Sequence, residues 1–344
     1  MAAFVANRGT GVLSRSIDDY PEGIIVPVDK PFRWTSADVV RKLKFAAKKH
    51  FGQKNLKVGH AGTLDPLATG VLIICIGKAT KLAEEIQGSD KEYVAGITFG
   101  ATTPSYDLEK PVDRFFPVDG VSEASVADAL RGVIGEQEQI APLFSAKSVD
   151  GVRAYELARK LYSRHSECNP CHSECNPCHS ECNPCHSECN PCHSECNEES
   201  IDTAAESLLS RQVIRINEIE LLSFKEGDFS TSVEMTKRCL SFRPESEGRS
   251  GETPSPSSRI NVTDSSALGL PRAEVRLACS KGTYVRAFAR DLGEALHTGA
   301  HLDSLRRTAC GGFRAGEALS VEQAAALFAP LEKVTIENQS NDEI

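Results

Sequence analysis

The sequence lacks the features of a membrane protein and of a nucleotide-binding enzyme. No run of about eighteen apolar residues is present, so no segment has the length of a transmembrane helix. Six residues separate Gly70 from Gly77, where a phosphate-binding loop needs four, and Ala79 stands where that loop needs a hydroxyl. The glycine pattern of dinucleotide-binding folds is also missing. Nothing in the sequence therefore calls for a cofactor.

The N-terminus gives only a weak signal. The first seventeen residues contain Arg8 and Arg15 and no acidic residue, which loosely matches an organelle transit peptide. Because they show no clear amphipathic pattern, we expect a cytoplasmic protein with a frayed N-terminal extension over residues 1–22.

The net charge of −9 argues at first against a nucleic-acid partner. The bases are unevenly spread, however: Lys30 to Lys57 holds nine bases and one acid, and Arg276 to Arg314 holds seven bases and three acids. A basic face can bind phosphates although the whole protein is acidic. A run of charge is often only a solvated face, so this distribution permits RNA binding without establishing it.

Thirteen cysteines would indicate a disulfide or metal protein if they were dispersed, but nine of them lie between Cys168 and Cys196. There a seven-residue unit, His-Ser-Glu-Cys-Asn-Pro-Cys, recurs from His165. Each full copy contains a proline and no aliphatic residue, which excludes a coiled coil. The Cys-x-x-Cys spacing leaves a metal module open. We interpret residues 165–200 as an inert low-complexity insertion, and the polar stretch 226–271 as a second insertion.

Strands and helices are mixed without a regular βαβ order. Strands are predicted over 23–28, 71–76, 93–99, 213–222 and 273–278. Helices are predicted from Thr35-Ser36 onward, over 78–87, from a cap at Ser125 with Asp128 to about 134, and over 153–160, 283–296 and 321–328. This pattern predicts an α+β protein whose mixed, mainly antiparallel sheet is flanked by helices.

The most informative segment is Gly59-His-Ala-Gly-Thr-Leu-Asp-Pro-Leu-Ala-Thr-Gly70, which we expect to form a glycine-rich loop before a buried strand. It presents one carboxylate, Asp65, which is restrained by Pro66. A carboxylate on a rigid loop is a plausible nucleophile or base, whereas an Asp-Pro turn that caps its own backbone is the plainer alternative. A triad of Cys75, His60 and Asp65 is disfavoured, because Cys75 lies in an apolar run.

This segment resembles the catalytic motif of the tRNA pseudouridine synthase B family. The resemblance extends in order to Asp29-Lys30-Pro31, to Lys91-Glu-Tyr93 with Phe99-Gly100, and to Pro142–Lys147. It continues through Cys279-Ser-Lys-Gly-Thr-Tyr-Val-Arg286 and Leu305-Arg306-Arg307. It covers about residues 23–160 and 211–314, and implies one catalytic domain of the pseudouridine synthase fold over 23–314.

The resemblance implies a concrete reaction. The family isomerises uridine 55 in the T loop of tRNA to pseudouridine without metal or cofactor, and Asp65 matches its catalytic aspartate. Tyr93 matches the ring that stacks on the base, His60 a residue that pries or stacks, and Arg286 the arginine that keeps the aspartate ionised. Asp107 is a match for an orienting acid, although Thr102–Leu108 departs from the family's acidic run. Lys30 and Leu305 are candidates for the wall of the site.

Partners and alternatives complete the expectations. We expect the T-stem-loop of tRNA as partner, no membrane, and a monomer without an obligate protein partner. Only thirty-six residues follow Thr308, too few for the C-terminal RNA-binding module of many family members, so residues 315–344 are expected to form a short helix and a tail. The alternative function is an RNA-binding or tRNA-folding chaperone that acts without catalysis.

Overall fold

The computed structural model describes residues 2–142, 144, 148–149, 152–153, 211–227 and 269–328. The repeat of residues 165–200, most of the polar insertion and the tail beyond residue 328 lie outside these ranges. The chain divides into two compact units: the first holds residues 1–94, 276–281 and 304–344, and the second holds 95–275 and 282–303. In the described part of the chain, no helix combines the length and the apolarity needed to cross a membrane.

The described chain contains fourteen strands. In chain order these are β1 (Phe4–Val5), β2 (Ile24–Lys30), β3 (Val58–Ala61), β4 (Thr69–Ile76), β5 (Lys91–Phe99), β6 (Ala101–Thr102), β7 (Arg114–Phe115), β8 (Gly135–Ile140), β9 (Ser148–Val149), β10 (Val152–Arg153), β11 (Arg211–Lys225), β12 (Arg272–Cys279), β13 (Ala300–Cys310) and β14 (Phe313–Arg314). The helices are α1 (Ser36–Phe51), α2 (Ala83–Gly88), α3 (Glu123–Gly132), α4 (Val285–Ala295) and α5 (Val321–Ala326), with 3-10 turns at Ile17–Asp19 and Gly77–Leu82.

The sheet is mixed, as the sequence predicted. Strands β5, β12 and β13 have residues in both units. The first unit contains the order β1-β2-β4-β13-β5-β12, and the second contains β13-β5-β12-β11-β8. Strand β1 is parallel to β2 and β13 is parallel to β4, whereas the pairs β2–β4, β3–β4, β8–β11 and β13–β14 are antiparallel. Helices accompany the strands in each unit, which confirms the α+β prediction.

The first unit is built around strand β4. Every residue from Val71 to Ile76 is buried with none of its surface exposed, because β2 and β3 cover its edges and small side chains pack on its face. Helix α1 starts with a reciprocal capping box, in which Thr35 and Asp38 each accept a hydrogen bond from the other's backbone N–H. Its buried residues recur at helical spacing, as predicted for an amphipathic helix.

The N-terminal extension is ordered, and the expectation that it is frayed was wrong. Strand β1 extends the sheet beside β2, and the backbone N–H of Leu13 donates to the carbonyl of Leu327 at 3.0 Å. Tyr20 makes edge-to-face contacts with Phe4 and Phe51, at centroid distances of 5.3 and 6.2 Å. Aromatic side chains at intervals in an otherwise polar segment supply the apolar surface that fixes it.

Three predicted element boundaries need correction. The helix expected to be capped by Ser125 with Asp128 begins earlier, because Ser122 is the cap and Ser125 completes its capping box from the third position. The helix predicted over 78–87 is a 3-10 turn followed by the short helix α2. Arg153, predicted to start a helix, belongs to the two-residue strand β10, and residues 154–160 lie outside the described ranges.

The second unit contains a fully buried histidine that makes stability depend on pH. His301 is 0% exposed; its Nδ1 lies 2.9 Å from the carbonyl of Ala101, and within the described residues its Nε2 has no hydrogen-bond partner. Burial lowers the pKa of His301, against the opposing effects of the Ala101 carbonyl and of nearby carboxylates. The imidazole is therefore neutral in the folded protein at pH 7.

We expect the free energy of unfolding to fall as the pH is lowered below about 6.5, the pKa of an unfolded histidine. Below that pH the unfolded chain binds a proton that folded His301 does not, so the loss continues until the lower folded pKa is reached. One such group contributes at most about 1.4 kcal/mol per pH unit. Urea titrations between pH 7 and pH 5 measure the slope of the unfolding free energy against pH. His301→Asn, whose amide can still donate to Ala101, is expected to flatten it, and His297→Asn at the exposed His297 serves as control. An unchanged slope in His301→Asn would refute this assignment.

Candidate active site

The sheet register places three separate sequence motifs side by side in the first unit. Lys30 at the end of β2 is opposite Gly70, the second residue of β4, and Arg307 of β13 is opposite the same glycine on the other side. Residues 62–68, which include Asp65, form the connection that leads into β4. The segment Asp29-Lys30, the Asp65 loop and Leu305-Arg306-Arg307 therefore meet at one end of three adjacent strands.

Gly70 is required at the junction of these motifs. Its φ is +103°, and a Cβ atom placed there would lie 2.2 Å from the carbonyl oxygen of Arg307. Only glycine combines that backbone conformation with so close an approach between strands. The last glycine of the motif is therefore explained by the packing of β4 against β13.

Lys30 holds the loop immediately after Asp65. Its side chain is 0% exposed, and Nζ donates hydrogen bonds to the carbonyls of Trp34 at 2.6 Å, Pro31 at 3.1 Å and Pro66 at 3.2 Å. Burial lowers the pKa of Lys30 to about 8; Asp65 opposes this shift and Arg307 adds to it. At neutral pH the Lys30 side chain is still mostly protonated. It therefore holds the loop by hydrogen bonds and also places a positive charge close to Asp65.

Arg307 holds the loop before Asp65. The side chain is 1% exposed, and its guanidinium donates to the carbonyls of Val71 at 2.8 Å, Gly62 at 3.2 Å and Thr63 at 3.4 Å. A single planar group thus donates to three backbone carbonyls. Arg307 thus ties the start of the loop to the strand that follows it.

Ser36 completes the support of the loop. Its hydroxyl accepts from the N–H of Leu64 at 2.9 Å and donates to the carbonyl of the same residue at 3.0 Å. The N–H of Arg33 donates to the Pro66 carbonyl at 2.9 Å, and the Ala68 N–H donates to the Asp65 carbonyl at 3.1 Å. The backbone around half-buried Asp65 is therefore held from both sides, as a site that must fix one carboxylate requires.

His60 lies on strand β3, not in the glycine-rich loop where the sequence placed it. Burial lowers its pKa, and the Arg307 charge acts in the same direction, so the ring is neutral at pH 7. Its buried Nδ1 has no hydrogen-bond partner among the residues that the structure describes. The alternative triad with Cys75 is further weakened, because burial raises the pKa of that thiol to about 11.

Tyr93 and Leu305 belong to the same unit as Asp65. Tyr93 on β5 is 8% exposed; burial raises its pKa to about 12, and a hydrogen bond with Arg307 opposes that shift. Leu305 is half-buried, and its carbonyl accepts from the Thr69 hydroxyl at 3.4 Å. Arg307 thus holds the Asp65 loop and lies close enough to Tyr93 to lower its pKa against the effect of burial.

Arg286 and Asp107 form a buried pair in the second unit. The Arg286 Nε lies 3.7 Å from Asp107 Oδ2, and both side chains are 5% exposed. The other guanidinium nitrogens donate to the carbonyls of Ser105 at 3.2 Å and Phe144 at 3.0 Å, while Asp107 Oδ1 accepts from the Ser105 hydroxyl at 2.6 Å. Asp107 is therefore paired with Arg286, although its sequence neighbourhood departs from the family pattern.

Two supporting residues were missed by sequence reasoning. Arg307 was recognised only as part of a closing motif, and Ser36 only as a possible helix cap. The sequence did contain a signal for Arg307. Adjacent residues on a strand point to opposite faces, so either Arg306 or Arg307 must lie on the inner face and needs hydrogen-bond partners there. Arg306 is the outward member, with a bidentate ion pair to Asp29 at 2.8 and 3.2 Å. Ser36 gave no comparable signal.

Comparison with known families agrees with this arrangement. The model of the TruB family pseudouridylate synthase N-terminal domain matches residues 48–172, and that of the tRNA pseudouridylate synthase B C-terminal domain matches residues 286–337. The tRNA pseudouridine synthase B of Phocaeicola vulgatus is 38% identical over 304 residues, which cover 88% of this chain and 92% of the relative. The chain belongs to the TruB family.

More distant TruB family relatives and solved structures are also similar. The tRNA pseudouridine synthase B of Flavobacterium johnsoniae is 33% identical over 305 residues, covering 88% of this chain and 95% of the relative. A chain in a crystal structure of a Cbf5-Nop10-Gar1 complex is 20% identical with a TM-score of 0.45 over 91% of this chain. This chain spans only 59% of the length of that one.

The C-terminal family model overlaps the range predicted for the catalytic domain. It starts at Arg286, in the closing motifs, and extends to residue 337. The prediction that a separate C-terminal RNA-binding module is missing is not tested by this match and stays a prediction.

Proposed function

We propose that this TruB family member isomerises uridine to pseudouridine in tRNA, at position 55 of the T loop, with Asp65 as the catalytic residue and without metal or cofactor. The observation that carries the proposal is the loop of residues 62–68, whose backbone is held by Lys30, Ser36 and Arg307 around one carboxylate. Relatives that bear the name tRNA pseudouridine synthase B over most of both chains support the substrate class.

The reaction needs one ionised carboxylate in a fixed position. The bond between N1 of uracil and C1′ of ribose breaks, the base turns, and a bond forms between C5 and C1′. N1 gains a proton and the hydrogen of C5 is lost, so that the product is an isomer. Asp65 promotes the cleavage of the glycosidic bond in its ionised form. In this proposal Lys30 holds the loop at the Pro66 carbonyl and places a positive charge near Asp65.

The remaining site residues take roles in holding the extruded base. Removing a base from its stack costs a few kcal/mol, and stacking on an aromatic ring returns roughly 1–3 kcal/mol. We assign stacking on the base to Tyr93, and prying or stacking to His60. For Arg286 the resemblance to the family implies the role of keeping Asp65 ionised, and Leu305 would form part of the wall.

We further propose that the protein works as a cytoplasmic monomer without an obligate protein partner.

We also expect an isolated T-stem-loop to be an adequate substrate, because the loop contains the bases that are cheapest to extrude. Transcripts labelled with tritium at C5 of uridine test this directly, since each isomerisation releases one tritium to water. We expect catalytic efficiency on the stem-loop within about a hundredfold of full tRNA. A deficit of a thousandfold or more, about 4 kcal/mol of transition-state binding, would show that distant tRNA elements are essential.

A further inference from the structure

An open groove with cationic and aromatic walls lies next to the Asp65 loop in the first unit. It encloses about 600 Å³ between the segment after β2 and the exposed face of α1. Its lining consists of Arg33, Trp34, Asp38, Arg41, Lys42 and Phe45. We call this feature the α1 groove. The side chains of these residues have no role in the chemistry proposed above.

The α1 groove offers positive charge and ring faces together. Its lining holds three cations and one acid. Arg41 pairs with that acid, Asp38, at 2.8 Å, and Lys42 pairs with the exposed Glu322 at 3.2 Å, so both cations would exchange a surface ion pair for a phosphate contact. The Lys42 ammonium lies 5.3 Å from the centroid of the Trp34 ring. Phe45 is 74% exposed, so its ring is accessible to a ligand. This composition suits a strand of nucleic acid, whose phosphates need cations and whose bases stack on aromatic rings.

The α1 groove is coupled to the catalytic loop through the backbone. Arg33 adopts a φ of +65°, an uncommon conformation for a residue with a side chain. In that conformation its N–H donates to the Pro66 carbonyl, one residue after Asp65. Lys30 also bridges Trp34 and Pro66 by their carbonyls. These contacts hold the segment that lines the groove against the loop that carries Asp65.

We propose that the α1 groove binds the RNA strand that adjoins the extruded uridine, with Arg41 and Lys42 on phosphate and Phe45 stacked on a base. This inference rests on the proposed function, because it assigns a second contact to the same RNA. Contact with another copy of the chain is one outcome of the test below.

Two substitutions separate charge from stacking. Arg41→Gln is expected to reduce the slope of log Kd against log salt concentration by about 0.7–0.9, the value of one phosphate contact. Phe45→Ala is expected to weaken binding at least about fivefold without changing that slope, because stacking releases no counterions. Both side chains are exposed, at 76% and 74%, so the fold should not change. The double variant should raise KM and leave the single-turnover rate at saturation within about twofold.

The measurements use the full-length protein with a labelled T-stem-loop transcript, and Lys44→Gln, on the same helix outside the groove, is the charge-matched control. If both variants keep the wild-type Kd and KM and the wild type is active, the proposal that the α1 groove binds RNA is overturned and the proposed function stands. If Lys44→Gln weakens RNA binding as much as Arg41→Gln does, the loss is a general effect of charge and the proposal for the groove is overturned. Loss of self-association in Phe45→Ala, measured by sedimentation with RNA affinity unchanged, would instead make the groove a contact between copies. If the wild type is inactive but the substitutions still weaken its RNA binding as expected, the proposed function is refuted and the proposal for the groove stands.

Discussion

Replacing Asp65 with Asn is expected to lower the rate of pseudouridine formation by at least about a thousandfold, equivalent to roughly 4 kcal/mol of transition-state stabilisation. The amide has the shape of the carboxylate but carries no negative charge and is a poor nucleophile. The loop is held by backbone contacts of Lys30, Ser36 and Arg307, so its conformation should survive the change.

Binding separates this expectation from misfolding. The Kd of Asp65→Asn for tRNA should stay within about threefold of wild type, because phosphate and stacking contacts dominate affinity. Asp128→Asn, at a surface carboxylate 72% exposed on α3, should leave both the rate and the Kd unchanged. Turnover by Asp65→Asn within about tenfold of wild type would refute the catalytic assignment.

Replacing Arg307 with Lys is expected to lower kcat on the order of a hundredfold while KM changes little. Lysine keeps the positive charge but cannot donate in a fixed fork to the three carbonyls of Gly62, Thr63 and Val71. A loop that shifts by about 1 Å misplaces Asp65, and misplacement of that size can cost about a hundredfold in rate. Arg307 acts through the loop and is therefore a positioning residue.

Hydrogen exchange checks the mechanism of this loss. The Leu64 amide, which donates to Ser36, should exchange faster in Arg307→Lys than in wild type, because the loop around it opens more often. Arg306→Lys is the matched control, since that neighbouring side chain is 43% exposed and pairs with Asp29. A wild-type kcat in Arg307→Lys would contradict the positioning role. Arg307→Ala is less informative, because each unpaired buried carbonyl costs about 1–3 kcal/mol of folding free energy.

Local patterns in the sequence predicted much of the fold. The apolar run over Val71–Ile76 became the buried strand β4, and the spacing of Val39, Leu43 and Ala47 marked the inner face of α1. The starts of helices were predicted less well where two polar residues are both suitable as the N-cap. Ser122 and Ser125 are both suitable caps, and only the structure shows that the two act in one capping box.

The candidate site was predictable in part. Asp65 stood out because the motif around it is dense in glycine and occurs once. Its supports were not predictable, because Lys30 and Arg307 are 277 positions apart and meet only through the pairing of β2, β4 and β13. Register between distant strands depends on the whole sheet, so no local pattern indicates which buried cation faces which carbonyl.

Nucleotide-resolution mapping of pseudouridine in an unmodified tRNA transcript tests the central claim most directly. The transcript is incubated with the wild-type protein or with Asp65→Asn, without added cofactor, and pseudouridine is located by chemical labelling and primer extension. The account predicts modification at uridine 55 with the wild-type protein and none with Asp65→Asn. Full binding of the transcript by the wild type without any pseudouridine, or the same modification with both proteins, would contradict it.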